Sequence, residues 1–315
     1  MIVVAGEALI DLVPQDSADS ADSADVADAA GAGLTPLAPR LGGGPYNTAV
    51  ALGRLGSPVA FCSRISQDAF GEALLDGLRA AEVDVAYVQR GAEPTTLAVA
   101  SIGADGSAGY SFYVEGTADR LFAVPRRLPD DVRAMSFGTC SLALEPGASA
   151  YEELMRREAA RGVFTALDPN IRAGLIPDAD AYRARFKSWL PSVTLLKLSE
   201  DDASWLGGTP REWLASGPAA VVITRGGEGL TVFTREGDEW SVPGEAVDVV
   251  DTIGAGDTVN AALLHGLWAR DALSAKALAG FGADSWGEVL RFAARAAAVT
   301  VSRAGAEPPY AAELV

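Results

Sequence analysis

The sequence predicts an α/β protein in which helices cover a mainly parallel sheet. Short apolar runs recur along the chain, of the kind that form strands buried on both faces. Segments with apolar residues at helical spacing lie between them. The 315 residues, 49% of them hydrophobic, are enough to bury a large core. Strand–helix alternation over this length indicates a layered fold with ligands beyond the carboxyl ends of its strands. Length alone allows one large domain or two smaller ones.

The opening MIVVAGEALIDLV reads as the first strand. It lacks a basic leader, and Glu7 and Asp11 fall inside its apolar run, so it is not read as a signal peptide. Residues 16–33, DSADSADSADVADAAGAG, form a low-complexity near-repeat, expected to be a solvated, mobile loop. NTAVALGRLG and FGEALLDGLRAA have helical spacing. Residues 95–114, TTLAVASIGADGSAGYSFYV, carry two β-rich runs around ADGSAG, a hairpin pattern. Such a hairpin would either cover a pocket as a lid or extend the sheet edge. VRAMSFGTCSLAL, VFTALDPN, VTLLKLSE and AAVVITRGGEGLTVF then supply buried strands, with SAYEELMRREAARG and DADAYRARFKSWL as helices among them.

The formal charge of −17 argues against nucleic acid or an anionic membrane surface as partner. It leaves a nucleotide open, because backbone amides and a few cations can hold phosphate on an acidic protein. No apolar run reaches membrane-spanning length. The two cysteines, Cys62 and Cys140, sit among apolar or small residues and are read as unpaired buried thiols, which implies a cytoplasmic location. His265, the lone histidine, is given no catalytic role.

Two glycine-rich stretches carry the chemistry. LGGGPYNTAVALGRLG (41–56) sets three glycines before a helix, with Asn47 near its start, where an amide caps the helix or meets a ligand. It is not a dinucleotide fingerprint, because Asn47 stands where the last glycine of that pattern belongs. DTIGAGDTVNAALL (251–264) runs from a turn into a helix whose buried face would be Val259, Ala262, Leu263, Gly266 and Leu267. The amides of Gly254, Ala255 and Gly256 would then lie at a helix N-terminus, an anion site. Asp257 is favoured there in any helix by the dipole. A carboxylate beside an anion hole also suits phosphoryl transfer, accepting a hydroxyl proton while the amides stabilise the moving charge. No P-loop pattern occurs.

These two stretches closely resemble the paired signatures of the PfkB, or ribokinase-like, sugar kinases, in the same order and at a fitting separation. GEALIDLVP (6–14), DPNIR (168–172), LKLSEDDASWL (196–206), VITRGGEGL (222–230) and SRAGAEPP (302–309) extend the resemblance nearly end to end. Val259 stands where relatives commonly carry phenylalanine, and Ile253 where threonine is frequent. The resemblance implies a three-layer α/β/α ribokinase-like fold. It also implies a single kinase domain over 1–315, with a small β lid formed from parts of about 10–40 and 90–118. The implied reaction moves the ATP γ-phosphate to a sugar or nucleoside hydroxyl with Mg²⁺.

By similarity, Asp257 is the catalytic base and the amides of Gly254, Ala255 and Gly256 form the anion hole. Asp11, Gly42, Gly43 and Asn47 would hold sugar hydroxyls, and a carboxylate and an amide suit a polyol. Asn170 and Arg172 follow a strand ending at Asp168, on the ligand side, where the guanidinium either pairs with phosphate or makes an exposed salt bridge. Lys197, Ser199, Thr224, Gly226, Gly227 and Gly229 would form the ATP side. Lys197 either reaches a phosphate or is solvated at its strand end. Asp202 falls where many relatives have a glutamate that organises Mg²⁺-bound water. Asp251 and Ile253 would offer carbonyls to a monovalent cation, K⁺ in some relatives.

GEALIDLVP, DPNIR and LKLSEDD, with FYVEGTAD (112–119), are most similar to the fructokinase and 2-keto-3-deoxygluconate kinase branch. A ketohexose such as fructose is the expected acceptor. 2-Keto-3-deoxygluconate is the alternative and would need a cation near its carboxylate, for which Arg120 is a candidate. A reading from another class is a sugar- or nucleotide-binding regulator without catalysis, and the intact Asp257 and glycine turn weigh against it. The partners are therefore a small sugar and ATP, and the hairpin serves either as a homodimer clasp or as a monomer's lid.

Overall fold

The opening apolar run does not stay in one sheet. In the computed structural model, which describes residues 1–14, 35–102 and 108–314, β1 (Ile2–Ala5) lies within a large sheet. β2 (Leu9–Pro14) belongs to a second, smaller sheet. The chain turns between them at Gly6, with φ 153°, where a Cβ would come within 2.3 Å of Pro45 Cγ. Only glycine allows that turn at that closeness. Hydrophobicity conceals the break because both halves are apolar. Asp11 therefore lies in the middle of a strand of the smaller sheet rather than at the end of the first core strand.

The smaller sheet has the order β3-β2-β6-β7, with β3 (Leu37–Gly42), β6 (Thr96–Ile102) and β7 (Ala108–Tyr113). β6 and β7 form the expected antiparallel hairpin, pairing Ala98 with Phe112 and Ala100 with Tyr110. The 16–33 repeat and most of the hairpin tip fall outside the described residues.

The larger sheet adds β4 (Val59–Ser66), β5 (Asp84–Gly91), β8 (Ala134–Gly138) and β9 (Phe164–Asp168). Its remaining strands are β10 (Leu195–Ser199), β11 (Ala220–Thr224), β12 (Leu230–Thr234) and β13 (Glu239–Val242). Among the described residues its order is β13-β12-β11-β10-β9-β8-β1-β4-β5. The strands from β11 to β5 are parallel, and β12 pairs antiparallel with both β11 and β13.

Alternate residues of the parallel strands feed two cores. Ile2 and Val4 join one, Val3 and Ala5 the other; Ala220 and Val222 divide in the same way from Val221 and Ile223. This is the period of two expected for strands covered on both faces. The first core is closed by α1 (Gly44–Arg54), α2 (Ala69–Ala80), α7 (Ala255–Ala269), α8 (Ala275–Ala279) and α9 (Ala283–Val301). The second is closed by α3 (Gly147–Ala160), α4 (Ala179–Trp189), α5 (Glu200–Leu206) and α6 (Pro210–Ser216). The result is a three-layer α/β/α fold. All five residues expected on the inner face of α7 are buried.

Candidate active site

The chain leaves β1 toward β4 and β5 on one side and later returns to fill β8 to β11 on the other. In open α/β sheets the crevice at such a reversal, beyond the carboxyl ends, is where ligands bind. Glu7 after β1, Thr139 after β8 and Asn170 after β9 line a cavity of about 300 Å³ there. The smaller sheet closes this cavity with Asp11 from β2 and with Tyr110 and Phe112 from β7.

The floor is the start of α7. Gly254 is its N-cap, in the left-handed region at φ 77°, so Ala255, Gly256 and Asp257 form the first turn. Helix geometry leaves the first amides without intrahelical acceptors. The amide of Ala255 donates to Thr252 O at 3.3 Å, so part of the expected anion hole is already engaged.

Asp257 is buried, and its carboxylate is held from two directions. Asn47 Nδ2 donates to Oδ2 at 2.9 Å, and Asn170 Nδ2 donates to Oδ1 at 3.4 Å. Asn47 is not a cap: its backbone amide bonds to Gly43 O inside α1, which frees its side chain for Asp257. Asn170 occupies the left-handed region at φ 41°, and Arg172 Nη1 donates to its Oδ1 at 2.8 Å. With that oxygen engaged, the amide nitrogen of Asn170 is the end turned to Asp257. A Cβ on Gly44 would lie 2.4 Å from Thr139 Oγ1 and 3.2 Å from Asp257 Oδ1, so only glycine lets α1 start this close to the carboxylate.

Burial pushes the Asp257 carboxyl above the usual range, with the Asn47 hydrogen bond and the charges of Lys197 and Arg172 opposing it. Asp11 is pushed up to about 6, by burial first and by the charge of Asp257 second, against Arg172. Two acids thus face one cavity, and the charge of Asp257 resists ionisation of Asp11. Glu7 rises to about 7 through burial, although Ser141 donates a hydrogen bond to it.

A second cavity, of about 460 Å³, lies over β11. Thr224, Gly226, Gly227 and Gly229 line one side, and Val247, Val249, Ala294 and Ala298 supply apolar walls. Thr252 and Gly256 line both cavities, so the two meet at the start of α7.

The remaining expected residues fall around this frame. Gly43 lines the first cavity, and Gly42 pairs with Leu9 at the start of β2. Lys197 is buried, with Nζ 2.8 Å from Asp168 Oδ2 and 3.1 Å from where a Cβ on Gly256 would sit. It is not solvated at its strand end but lies beneath the start of α7. Burial still raises Asp168 to about 6 despite the Lys197 ammonium. Ser199 and Asp202 form a reciprocal capping box on α5, and Asp202 Oδ1 also accepts from Ile171 N at 2.8 Å. Asp251 accepts from Ile253 N at 3.0 Å and from Gly305 N at 2.8 Å, tying the turn before α7 to the SRAG loop. Arg120 is committed to Val114 O and Glu145 O, each at 3.0 Å, and is absent from the wall of either cavity. His265 bonds to Ser57 Oγ at 2.9 Å away from both cavities.

Among the described residues no group of three or more His, Cys, Asp or Glu side chains could hold a metal ion. Asp202 Oδ2 accepts two hydrogen bonds from Ser199, and Oδ1 accepts one from Ile171 N.

Residues 1–312 match the profile of the pfkB family carbohydrate kinases. The chain belongs to this family. This carbohydrate kinase is 40% identical over 275 residues to a fructokinase of Rhizobium leguminosarum bv. trifolii, covering 85% of the chain and 79% of that relative. It is 32% identical over an alignment of 321 residues to fructokinase-2 of Zea mays, covering 98% and 90%. Its fold matches the ATP-bound fructokinase of Xylella fastidiosa with a TM-score of 0.85 at 28% identity, over 99% of this kinase and 97% of that chain. A fructokinase of Vibrio cholerae O395, solved with fructose, ADP and potassium, shares the fold at 22% identity and a TM-score of 0.78, over 97% and 93%.

Several lining residues were not singled out by sequence reasoning. Thr139 and Tyr110 look like ordinary strand or strand-end residues. Val247 and Val249 lie outside any regular element in EAVDVV, and both stay exposed although apolar.

Proposed function

We propose that this kinase transfers the γ-phosphate of ATP to a primary hydroxyl of fructose, with Asp257 as general base and the 254–256 amides as anion hole. The observation carrying this reading is the meeting of a polar and an apolar-walled cavity at Gly256, with Asp257 facing the polar one. Fructose enters because the named relatives are fructokinases, and ATP because the Xylella neighbour was solved with it.

The acceptor hydroxyl gives its proton to the Asp257 carboxylate while its oxygen attacks the γ-phosphorus and ADP leaves. A burial-raised carboxyl is a better base than an exposed aspartate, provided it is ionised at working pH. Asn47 and Asn170 hold it for a hydroxyl approaching from the Asp11 side. Lys197, beneath Gly256, adds positive charge where the transferring phosphoryl group gathers negative charge. Mg²⁺ would arrive with the nucleotide and offset phosphate charge, with water filling much of its shell. The Asp251–Gly305 contact keeps together the loops whose carbonyls would receive a monovalent cation. A cytoplasmic setting agrees with two unpaired, buried cysteines. Exposed Leu37, Leu41 and Tyr113 on the smaller sheet suit a homodimer through that sheet, which sedimentation tests.

The decisive experiment measures ADP release with MgATP and fructose, 2-keto-3-deoxygluconate, ribose or adenosine. Fructose is expected to give the highest kcat/KM, by at least about tenfold. Asp257→Asn should lower kcat by about 10³-fold, within the range for loss of a general base. Turnover within a few-fold of the parent would remove Asp257 from that role, and preference for another acceptor would replace fructose.

A further inference from the structure

Asp202 does more than a helix cap requires. The other capping box on a connection of this sheet, Thr209 with Glu212 on α6, is exposed and makes local bonds only: Glu212 Oε2 accepts from Thr209 N at 2.8 Å and Oγ1 at 3.0 Å. Asp202 makes the same local bonds through Oδ2, accepting from Ser199 Oγ at 2.7 Å and Ser199 N at 3.2 Å. Unlike Glu212 it is buried, and its second oxygen crosses to a different strand connection, where Ile171 N donates to Oδ1 at 2.8 Å.

That amide belongs to the turn presenting Asn170. Asn170 sits at φ 41°, in the left-handed region that asparagine adopts more readily than most residues. Arg172 Nη1 closes the turn from the other side, bonding to Asn170 Oδ1 at 2.8 Å and to the carbonyls of Asn170 and Ile171 at 3.1 and 3.2 Å. Held from both sides, the turn points Asn170 Nδ2 at Asp257 and keeps the Arg172 guanidinium on the same cavity wall.

We infer that Asp202 is a positioning residue for the general base: by fixing the 170–172 turn it sets where Asn170 and Arg172 face Asp257. The inference rests on Asp257 being the base. It links the β10–α5 connection, expected on the nucleotide side, to proton transfer on the sugar side. The charge of Arg172 favours the ionised form of Asp257, and Asn170 Nδ2 faces its Oδ1, so a relaxed turn lets the base keep its proton to higher pH.

Asp202→Asn tests this, because an amide has one acceptor oxygen and cannot serve both Ser199 and Ile171. The variant should lose about ten- to thirtyfold in kcat at neutral pH. The acid limb of its kcat–pH profile should move up by roughly half a unit to one unit. The Mg²⁺ concentration for half-maximal rate, and MgATP affinity by calorimetry without sugar, should stay within about twofold. Asn170→Ala should move the limb the same way, and the double variant should be little worse than the poorer single one, as expected for groups acting in one chain. A tenfold higher Mg²⁺ requirement or weaker MgATP binding with an unmoved limb would return Asp202 to the metal and overturn the inference. A lower Tm with an unmoved limb would overturn it equally, leaving a helix cap. Should Asp202→Asn fail to fold, Asp202→Glu keeps the charge and the cap while displacing the Ile171 contact; it is expected to shift the limb in the same direction, and an unmoved limb counts against the inference. Failure of the base assignment reads out separately, as retained turnover in Asp257→Asn.

Discussion

The two cavities that meet at Gly256 are built from opposite materials. The cavity proposed for the sugar is made of side chains that constrain one another: Asp11 and Asp257 repel, Asn47 and Asn170 hold Asp257, and Arg172 orients Asn170. The cavity proposed for the nucleotide is made of glycines and small apolar walls, with Gly226, Gly227 and Gly229 opposite Val247, Val249 and Ala298. A polyol is recognised by the direction of its hydroxyls, and directed hydrogen bonds need side chains locked in place. A base and triphosphate need a flat apolar surface and backbone donors, which many side chains can frame. Single substitutions should therefore cost far more on the sugar side.

The largest expected effect outside Asp257 is at Asp11. Asp11→Ala removes the one carboxylate that the smaller sheet, among the described residues, brings to the cavity wall, leaving bound hydroxyls without that acceptor. The KM for fructose should rise about 100-fold while that for MgATP stays within about twofold, since a site built to bond a hydroxyl suffers when the pair is broken. Initial rates over both substrates measure this. A rise below threefold in the fructose KM would mean that Asp11 shapes the cavity without bonding the sugar.

A smaller effect, sensitive to pH, is expected at Asn47. Burial raises the Asp257 carboxyl and the Asn47 hydrogen bond is the foremost group opposing that rise, so its loss moves the carboxyl further up. The base must be ionised to act, so Asn47→Ala should lose about tenfold in kcat at pH 7 and recover much of it by pH 9. A uniform loss at all pH values would show that Asn47 serves sugar binding and not the ionisation of Asp257.

How much of this was legible beforehand differs between the same two regions. The inner face of α7, the 95–114 hairpin and the glycine turn follow from local periodicity and turn chemistry, which need only neighbouring residues. The Ser199–Asp202 cap is legible in the same way, as a three-residue spacing. Asn47 was visible as a residue near a helix start, but its partner stands 210 positions away, and no local pattern distinguishes a cap from an amide reaching another helix. The bond from Asp202 to Ile171 N and the pairing of Lys197 with Asp168 arise because parallel strands bring successive connections to one edge of the sheet. The break at Gly6 was hidden because hydrophobicity reports burial, and both strands flanking it are apolar.

The smallest expected effect tests the nucleotide side. Val249 is 63% exposed although it lines the second cavity, so its two methyl groups have apolar surface left for a nucleotide to cover. A fully buried methylene contributes about 0.8 kcal/mol, and a rim residue covered on one side realises only part of that. Val249→Ala should therefore raise the KM for MgATP about two- to threefold, leaving the fructose KM and the kcat–pH profile unchanged. Because the walls are apolar and the glycines contribute only backbone, no charged or hydrogen-bonded network is broken by the change. A loss above about twentyfold would exceed what two methyl groups can supply and would mean that the 247–249 segment reorganises around the nucleotide. The contrast between a locked sugar side and a permissive nucleotide side would then fail, and Val249 would join Asn170 as a residue whose position is part of the chemistry.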